Sequence, residues 1–200
     1  MSDFSLSTYT GGLVATNGHF LTCGETRLLI DAPDGVFDWL AAKGETPDAI
    51  LLTHQHFDHV EDAHRFDCPI HAFSPMDRDL ILDARAREWG LPVKVEDFKV
   101  GKILKEEPTL TIGQLELQLI HVPGHSPDSL VYHLPALATA FAGDTLFCGG
   151  VGRTDLPGGS HETLISGIRE KLLTLPPQTT FYPGHGPSTT AADEQENPFL

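Results

Sequence analysis

Three histidines and an aspartate crowd into one short stretch, Thr53-His54-Gln55-His56-Phe57-Asp58-His59, directly after the apolar run Ala49-Ile50-Leu51-Leu52. In extended chain, side chains alternate between faces, so His54, His56 and Asp58 at i, i+2 and i+4 point the same way. His59 follows at once and swings round as the chain turns into a helix. Imidazole suits zinc, iron and nickel, and a carboxylate widens the range. Any one of these residues alone would be read as a polar group on a solvated loop. Together, behind a buried-looking strand, they offer three imidazoles and a carboxylate to one spot or to two adjacent spots.

The length of 200 residues fits one domain, expected to span 1–200, with room for a sizeable core. A formal charge of −15 with histidine neutral repels polyphosphate and anionic lipid, so neither nucleic acid nor membrane is an expected partner. Carboxylates that held divalent metal would offset part of that charge. Cys23, Cys68 and Cys148 are odd in number and far apart, which argues for reduced thiols. Met1-Ser2-Asp3-Phe4-Ser5 lacks the basic and long apolar regions of a secretion signal, and the apolar stretch near 134–142 is too short to span a bilayer. A cytoplasmic location is expected.

Along the chain, residues 4–31 read as short strands punctuated by Gly11-Gly12, Gly18 and Cys23-Gly24-Glu25. Val36, Phe37, Leu40 and Ala41 recur at helical spacing, with Gly44 as a stop. Strand 49–52 leads into the histidine loop, and a short helix carrying His59 at its start is expected over 58–66. A strand over 69–73 precedes Ser74-Pro75, which has the form of a helix cap, and a helix then runs to Gly90. Residues 91–108 read as irregular chain or a short edge strand. A hairpin is expected over 109–122, then strands at 130–134, 137–141 and 179–182. Between the last two lies an amphipathic helix, 161–173, with Ser160 as its cap, and a short helix over about 188–196 closes the chain. Trp39 and Trp89 fall on apolar helix faces and are expected in the core. Sheet, helix, strand and helix thus occur twice, as two halves that could stack into a four-layer α/β sandwich.

Three further metal-competent residues arrive in a repeated way. His125 follows Leu119-Ile120-His121-Val122-Pro123-Gly124, Asp144 follows Phe141-Ala142-Gly143, and His185 follows Phe181-Tyr182-Pro183-Gly184. Loops at strand ends are where α/β scaffolds place their chemistry. With the first cluster they make a set of five histidines and two aspartates.

The segments T-H-Q-H-F-D-H, P-G-H-S-P, G-D-T-L-F and Y-P-G-H-G-P resemble, in order and spacing, the ligand motifs of the metallo-β-lactamase superfamily. The likeness covers nearly the whole chain. Within that superfamily G-G-V-G-R-T-D-L-P-G-G-S, 149–160, and the N-P-F ending are similar to short bacterial glyoxalase II-like hydrolases. The resemblance implies an α/β fold of the four-layer αββα type. It implies two divalent ions, zinc first, with iron or manganese as alternatives. His54, His56 and His125 would hold one; Asp58, His59 and His185 would hold the other, with Asp144 bridging. Hydroxide formed between the ions would attack an acyl carbon, oriented by Asp58. The implied substrate is a small thioester of the S-lactoylglutathione type, cleaved without a serine or cysteine nucleophile.

Full-length glyoxalase II enzymes carry a C-terminal helical domain with basic residues that grip glutathione, and no counterpart is expected here after His185. Arg153 is the candidate to replace it; its other reading is a salt bridge to Asp155. Cys148 stands where relatives often carry a basic residue and is expected to be a small packed side chain. Asp128 stands where glycine is usual and reads as a turn variant. A persulfide dioxygenase with one iron on His54, His125 and Asp144 is the nearest rival, since that triad leaves open positions. A lactonase and a non-catalytic metal scaffold are the further alternatives.

Overall fold

In the computed structural model, residues 4–200 are described, and the Met1-Ser2-Asp3 part of the N-terminal reading lies outside them. Contacts divide the chain into two compact units, Met1–Glu106 and Glu107–Leu200.

The first unit contains β1 (Phe4–Gly11), β2 (Thr16–Cys23), β3 (Thr26–Ile30), α1 (Val36–Ala41), β4 (Ala49–Leu51), α2 (Phe57–Val60), β5 (Ile70–Ala72), α3 (Arg78–Ile81), α4 (Asp83–Glu88) and β6 (Val100–Ile103). Its sheet runs β1-β2-β3-β4-β5-β6. The first two pairings are antiparallel and the last three parallel. Leu28, Leu29, Ile30, Ile50 and Leu51 are all fully buried, which is why β3 and β4 read as continuous apolar runs and not as alternating strands. Val36 and Leu40 of α1, Val60 of α2, Ile81 of α3 and Ala86 of α4 pack with Leu29, Ile50 and Ile70. Full burial of each large aliphatic contributes roughly 1.5–3 kcal/mol.

Two local expectations are corrected here. Ser74 does not cap the following helix. Its hydroxyl accepts from Gln55 Nε2 at 3.0 Å, and Asp77 caps α3 by accepting from the Asp79 N–H at 2.9 Å. The helix expected to run to Gly90 is broken at Leu82, whose φ of +59° is left-handed, so α3 and α4 are separate and Trp89 ends exposed. The edge strand foreseen within 91–108 is β6.

The second unit contains β7 (Thr109–Ile112), β8 (Leu115–His121), β9 (Leu130–Leu134), β10 (Thr139–Gly143), β11 (Leu146–Phe147), β12 (Gly150–Val151), α5 (His161–Gly167), β13 (Thr180–Pro183) and β14 (Thr189–Thr190). Its main sheet runs β14-β13-β10-β9-β8-β7, with β10 and β13 parallel and the rest antiparallel. Strands β11 and β12 form a separate hairpin. Ser160 caps α5 by accepting from the Thr163 N–H, and the helix continues as a π turn, Ile168–Leu172. Leu164, Ile168 and Leu172 are fully buried and pack with Val122, Val131, Ala140 and Phe181, as the amphipathic pattern required. The helix expected near 188–196 is instead β14 followed by a 3₁₀ turn, Asp193–Glu196. Thr190 Oγ1 accepts from the Asp193 N–H at 3.1 Å, so it caps the start of that short turn as Ser160 caps α5.

Candidate metal centre

In the first unit, β3, β4 and α2 position the cluster. His54, His56, Asp58 and His59 are all buried, unlike polar residues on a free loop. The rings of His54 and His56 lie 4.6 Å apart between centroids, and those of His54 and His59 lie 4.1 Å apart. Burial of so many polar groups is costly unless each is bonded, and two residues outside the motif supply bonds. Asp31, at the end of β3, sits at φ +60°. Its Oδ1 accepts from the Thr53 N–H at 2.7 Å, and its Oδ2 accepts from Thr53 Oγ1 at 2.7 Å and from His59 Nδ1 at 2.8 Å. Thr16, at the start of β2, donates its hydroxyl to Asp58 Oδ2 at 2.6 Å. Neither was foreseen as a site residue. The one signal for Asp31 was an acid ending an apolar strand before Ala32-Pro33; Thr16 gave none. Within the motif, Gln55 is buried and ties the loop to residues 74–77. Besides Ser74 it donates to the Pro75 carbonyl at 3.0 Å and accepts from the Asp77 N–H at 3.0 Å.

In the second unit, His125, Asp144 and His185 leave the ends of β8, β10 and β13. Gly124 lets the first corner form. It sits at φ +134°, and a Cβ there would lie 2.6 Å from the Leu164 nitrogen and 2.7 Å from the Ser160 oxygen. His125 Nδ1 lies 2.8 Å from the Arg153 carbonyl oxygen. A carbonyl only accepts, so Nδ1 carries the proton and Nε2 presents its lone pair. Asp144 Oδ2 lies 3.6 Å from His125 Nε2 and 3.4 Å from His185 Nε2. In the first unit, Asp58 Oδ2 and His59 Nε2 are 3.4 Å apart.

These separations fit a shared ion. They are long for hydrogen bonds. Two donors each about 2.0–2.2 Å from one tetrahedral ion stand about 3.3–3.6 Å apart. The electrostatics agree. Burial, then the charges of Asp34 and Asp58, push the Glu61 carboxyl up to about 7, so this region of the chain carries surplus negative field.

Arg153 forms a two-point ion pair with Asp155, Nε to Oδ1 and Nη2 to Oδ2, both 2.7 Å. Its guanidinium holds the Asp155 carboxyl down at about 2. Cys148 is exposed at the turn between β11 and β12, not packed as expected. Asp128 accepts from Ser126 Oγ in a tight local turn. Other histidines have partners of their own: His19 with Thr8, His133 with Gln118, and His121 with the Pro127 carbonyl. No helix among the described residues is long and apolar enough to cross a membrane.

Strand-end histidines and aspartates on two mixed sheets define a metal-binding α/β class. The family profile of the metallo-beta-lactamase superfamily matches residues 20–185, and the chain belongs to that superfamily. It is 38% identical over 200 residues to the probable metallo-hydrolase YqgX of Bacillus subtilis (strain 168), covering 94% of each chain. It is 38% identical over 159 residues to the hydroxyacylglutathione hydrolase GloC of Haemophilus influenzae, covering 76% of this chain and 74% of that one. Among solved structures, the BLEG-1 B3 metallo-beta-lactamase matches with TM-score 0.88 at 34% identity, covering 98% of this chain and 99% of that one. TTHA1623 in a di-iron-bound form matches with TM-score 0.85 at 38% identity, covering 97% and 100%. The chain is therefore a metallo-hydrolase-type protein with the expected α/β fold of that superfamily.

Proposed function

We propose that the two units act as one metallo-β-lactamase-type domain that hydrolyses a thioester of the hydroxyacylglutathione class. The carrying observation is the pair of ligand-length separations from Asp144 Oδ2 to His125 and His185; the burial of His54, His56, Asp58 and His59 in the first unit adds to it. His54, His56 and His125 would hold one ion, and Asp58, His59 and His185 the other, with Asp144 between them; candidate ligand triples drawn from these residues support this reading. The donor set suits zinc, and the di-iron form of TTHA1623 makes iron the next choice. A divalent pair bound there would polarise an acyl oxygen and lower the pKa of water from about 15.7 to about 7.

The chain's own residues do the rest. Asp31 fixes the ring of His59, and the Arg153 carbonyl fixes that of His125, so both present Nε2. Thr16 holds Asp58, whose carboxylate accepts a hydrogen bond from the attacking water and aims it at the acyl carbon. Water adds to that carbon, the C–S bond breaks, and the products are a carboxylic acid and a thiol. Arg153, exposed beside Asp155, would meet the anionic end of a glutathione-linked substrate. The similarity to GloC supports this substrate class.

The test is turnover of S-D-lactoylglutathione by protein of measured metal content. The expected kcat/KM is about 10⁴ M⁻¹s⁻¹ or higher. Fully loaded protein without turnover would overturn the thioester reading, and oxygen consumption with a persulfide would replace it. Asp144→Ala is expected to lose metal from one or both positions; a fully loaded, active variant would overturn the ligand assignment.

A further inference from the structure

The second unit buries a carboxylate that the mechanism above does not use. Glu194, in the 3₁₀ turn after β14, is 2% exposed. Its oxygens accept from the Gly149 N–H at 3.0 and 3.2 Å, from Thr189 Oγ1 at 2.6 Å and from Asn197 Nδ2 at 2.6 Å. Asn197 Nδ2 also reaches the Gly150 carbonyl at 3.2 Å, and its Oδ1 accepts from the Phe199 N–H at 2.9 Å. Each donor has a telling position. Gly149 lies in the turn of the β11–β12 hairpin, five residues after Asp144; Thr189 opens β14, four residues after His185. The hairpin also sets Phe147 against the ring of His185, with centroids 6.1 Å apart. Beyond the hairpin the chain reaches Arg153, whose carbonyl holds His125. One carboxylate therefore ties together the two loops that carry Asp144 and His185.

A buried carboxylate bonded only to main-chain and neutral donors is an expensive way to close a C-terminal turn. A charged acceptor makes stronger, more directional bonds than a neutral one, and that suits fixing loop against loop. We propose that Glu194, assisted by Asn197, is a positioning residue that sets the separation of Asp144 and His185 through the 146–151 hairpin. The proposal rests on reading Asp144 and His185 as ligands.

The test compares Glu194→Gln with Glu196→Gln, an exposed acid in the same turn. The amide puts a donor where three donors converge while keeping size and shape. In metal-free protein, hydrogen exchange over 146–151 should quicken about tenfold or more in Glu194→Gln, the scale of one lost charge-assisted bond. In cobalt-loaded protein its visible absorption should change, and the ion should be lost at about tenfold lower chelator concentration. Glu196→Gln should match the unaltered protein in both. A folded Glu194→Gln with unchanged exchange and unchanged cobalt spectrum overturns the proposal. If that variant does not fold, Thr189→Val removes a single bond and is read by the same two measurements. Failure of S-D-lactoylglutathione turnover alone would sink the thioester reading and leave both of these readouts decisive.

Discussion

Asp31 and Thr16 do the local work at the histidine loop, and neither belongs to its seven-residue motif. Asp31 spends both oxygens: one orders the loop's first N–H, and the other takes the Thr53 hydroxyl and the His59 ring. Thr16 makes one bond, to the carboxylate assigned the task of aiming water. Thr16→Val keeps the shape and deletes that bond. Outer bonds of this kind typically account for 10–100-fold in metal affinity or activity. The variant should therefore fold normally and lose about tenfold in kcat or in affinity for the ion near Asp58, read by steady-state kinetics and metal titration. Wild-type values in both would show that Asp58 needs no such support.

At the scale of elements, loops at strand ends are placed by how closely backbone passes backbone. Gly124 and Gly149 both sit at positive φ, yet for different reasons. A Cβ at Gly149, φ +67°, would meet nothing within 4 Å, so its requirement is purely conformational. Gly124 faces the first turn of α5 at 2.6–2.7 Å as well. Gly149→Ala should cost about 1–2 kcal/mol, the left-handed penalty alone. Gly124→Ala should cost visibly more, because the Pro123-Gly124-His125 corner must move off α5, and it should displace His125. Urea midpoints and metal content of the two variants would check this; equal midpoints would contradict it. The helix at 161–173 was legible because its period and its Ser160 cap agree. The Ser74 cap was misread because a buried glutamine claimed the hydroxyl, a tertiary bond that no local pattern announces.

For the whole molecule the governing quantity is negative charge. A chain of net charge −15 that gathers aspartates around Glu61 should gain stability from bound cations. With free ion at about a thousand times Kd, binding adds about 4 kcal/mol, so a chelator should lower Tm by on the order of 10 °C. In the metal-free protein Glu61 adds a pH dependence. Its folded pKa, about 7, lies above the ordinary value of 4.5. Between those values the folded state binds more protons, so this group's contribution is intact below about 4.5 and fades as pH rises through about 7. Metal-free Glu61→Gln should flatten that decline in a series of melts from pH 4 to pH 8; an unchanged slope would assign it to other groups. The seven residues proposed for the centre could be named from sequence because four share the H-x-H-x-D-H spacing behind an apolar run and three each follow an apolar run and a glycine. Asp31, Thr16 and Glu194 could not, because what marks them is a partner 5 to 45 residues away.

Gln55 shows what it would take to move this loop elsewhere. Written as H-x-H-x-D-H, the motif treats position 55 as a blank. In the fold it is a fully enclosed amide with three bonds to the 74–77 segment. A protein engineer who transplanted seven residues into a foreign sheet would bring the ligands and leave their anchorage behind. The smallest portable piece is discontinuous: the loop, the aspartate at the end of the preceding strand, the threonine opening β2, and the bend after β5.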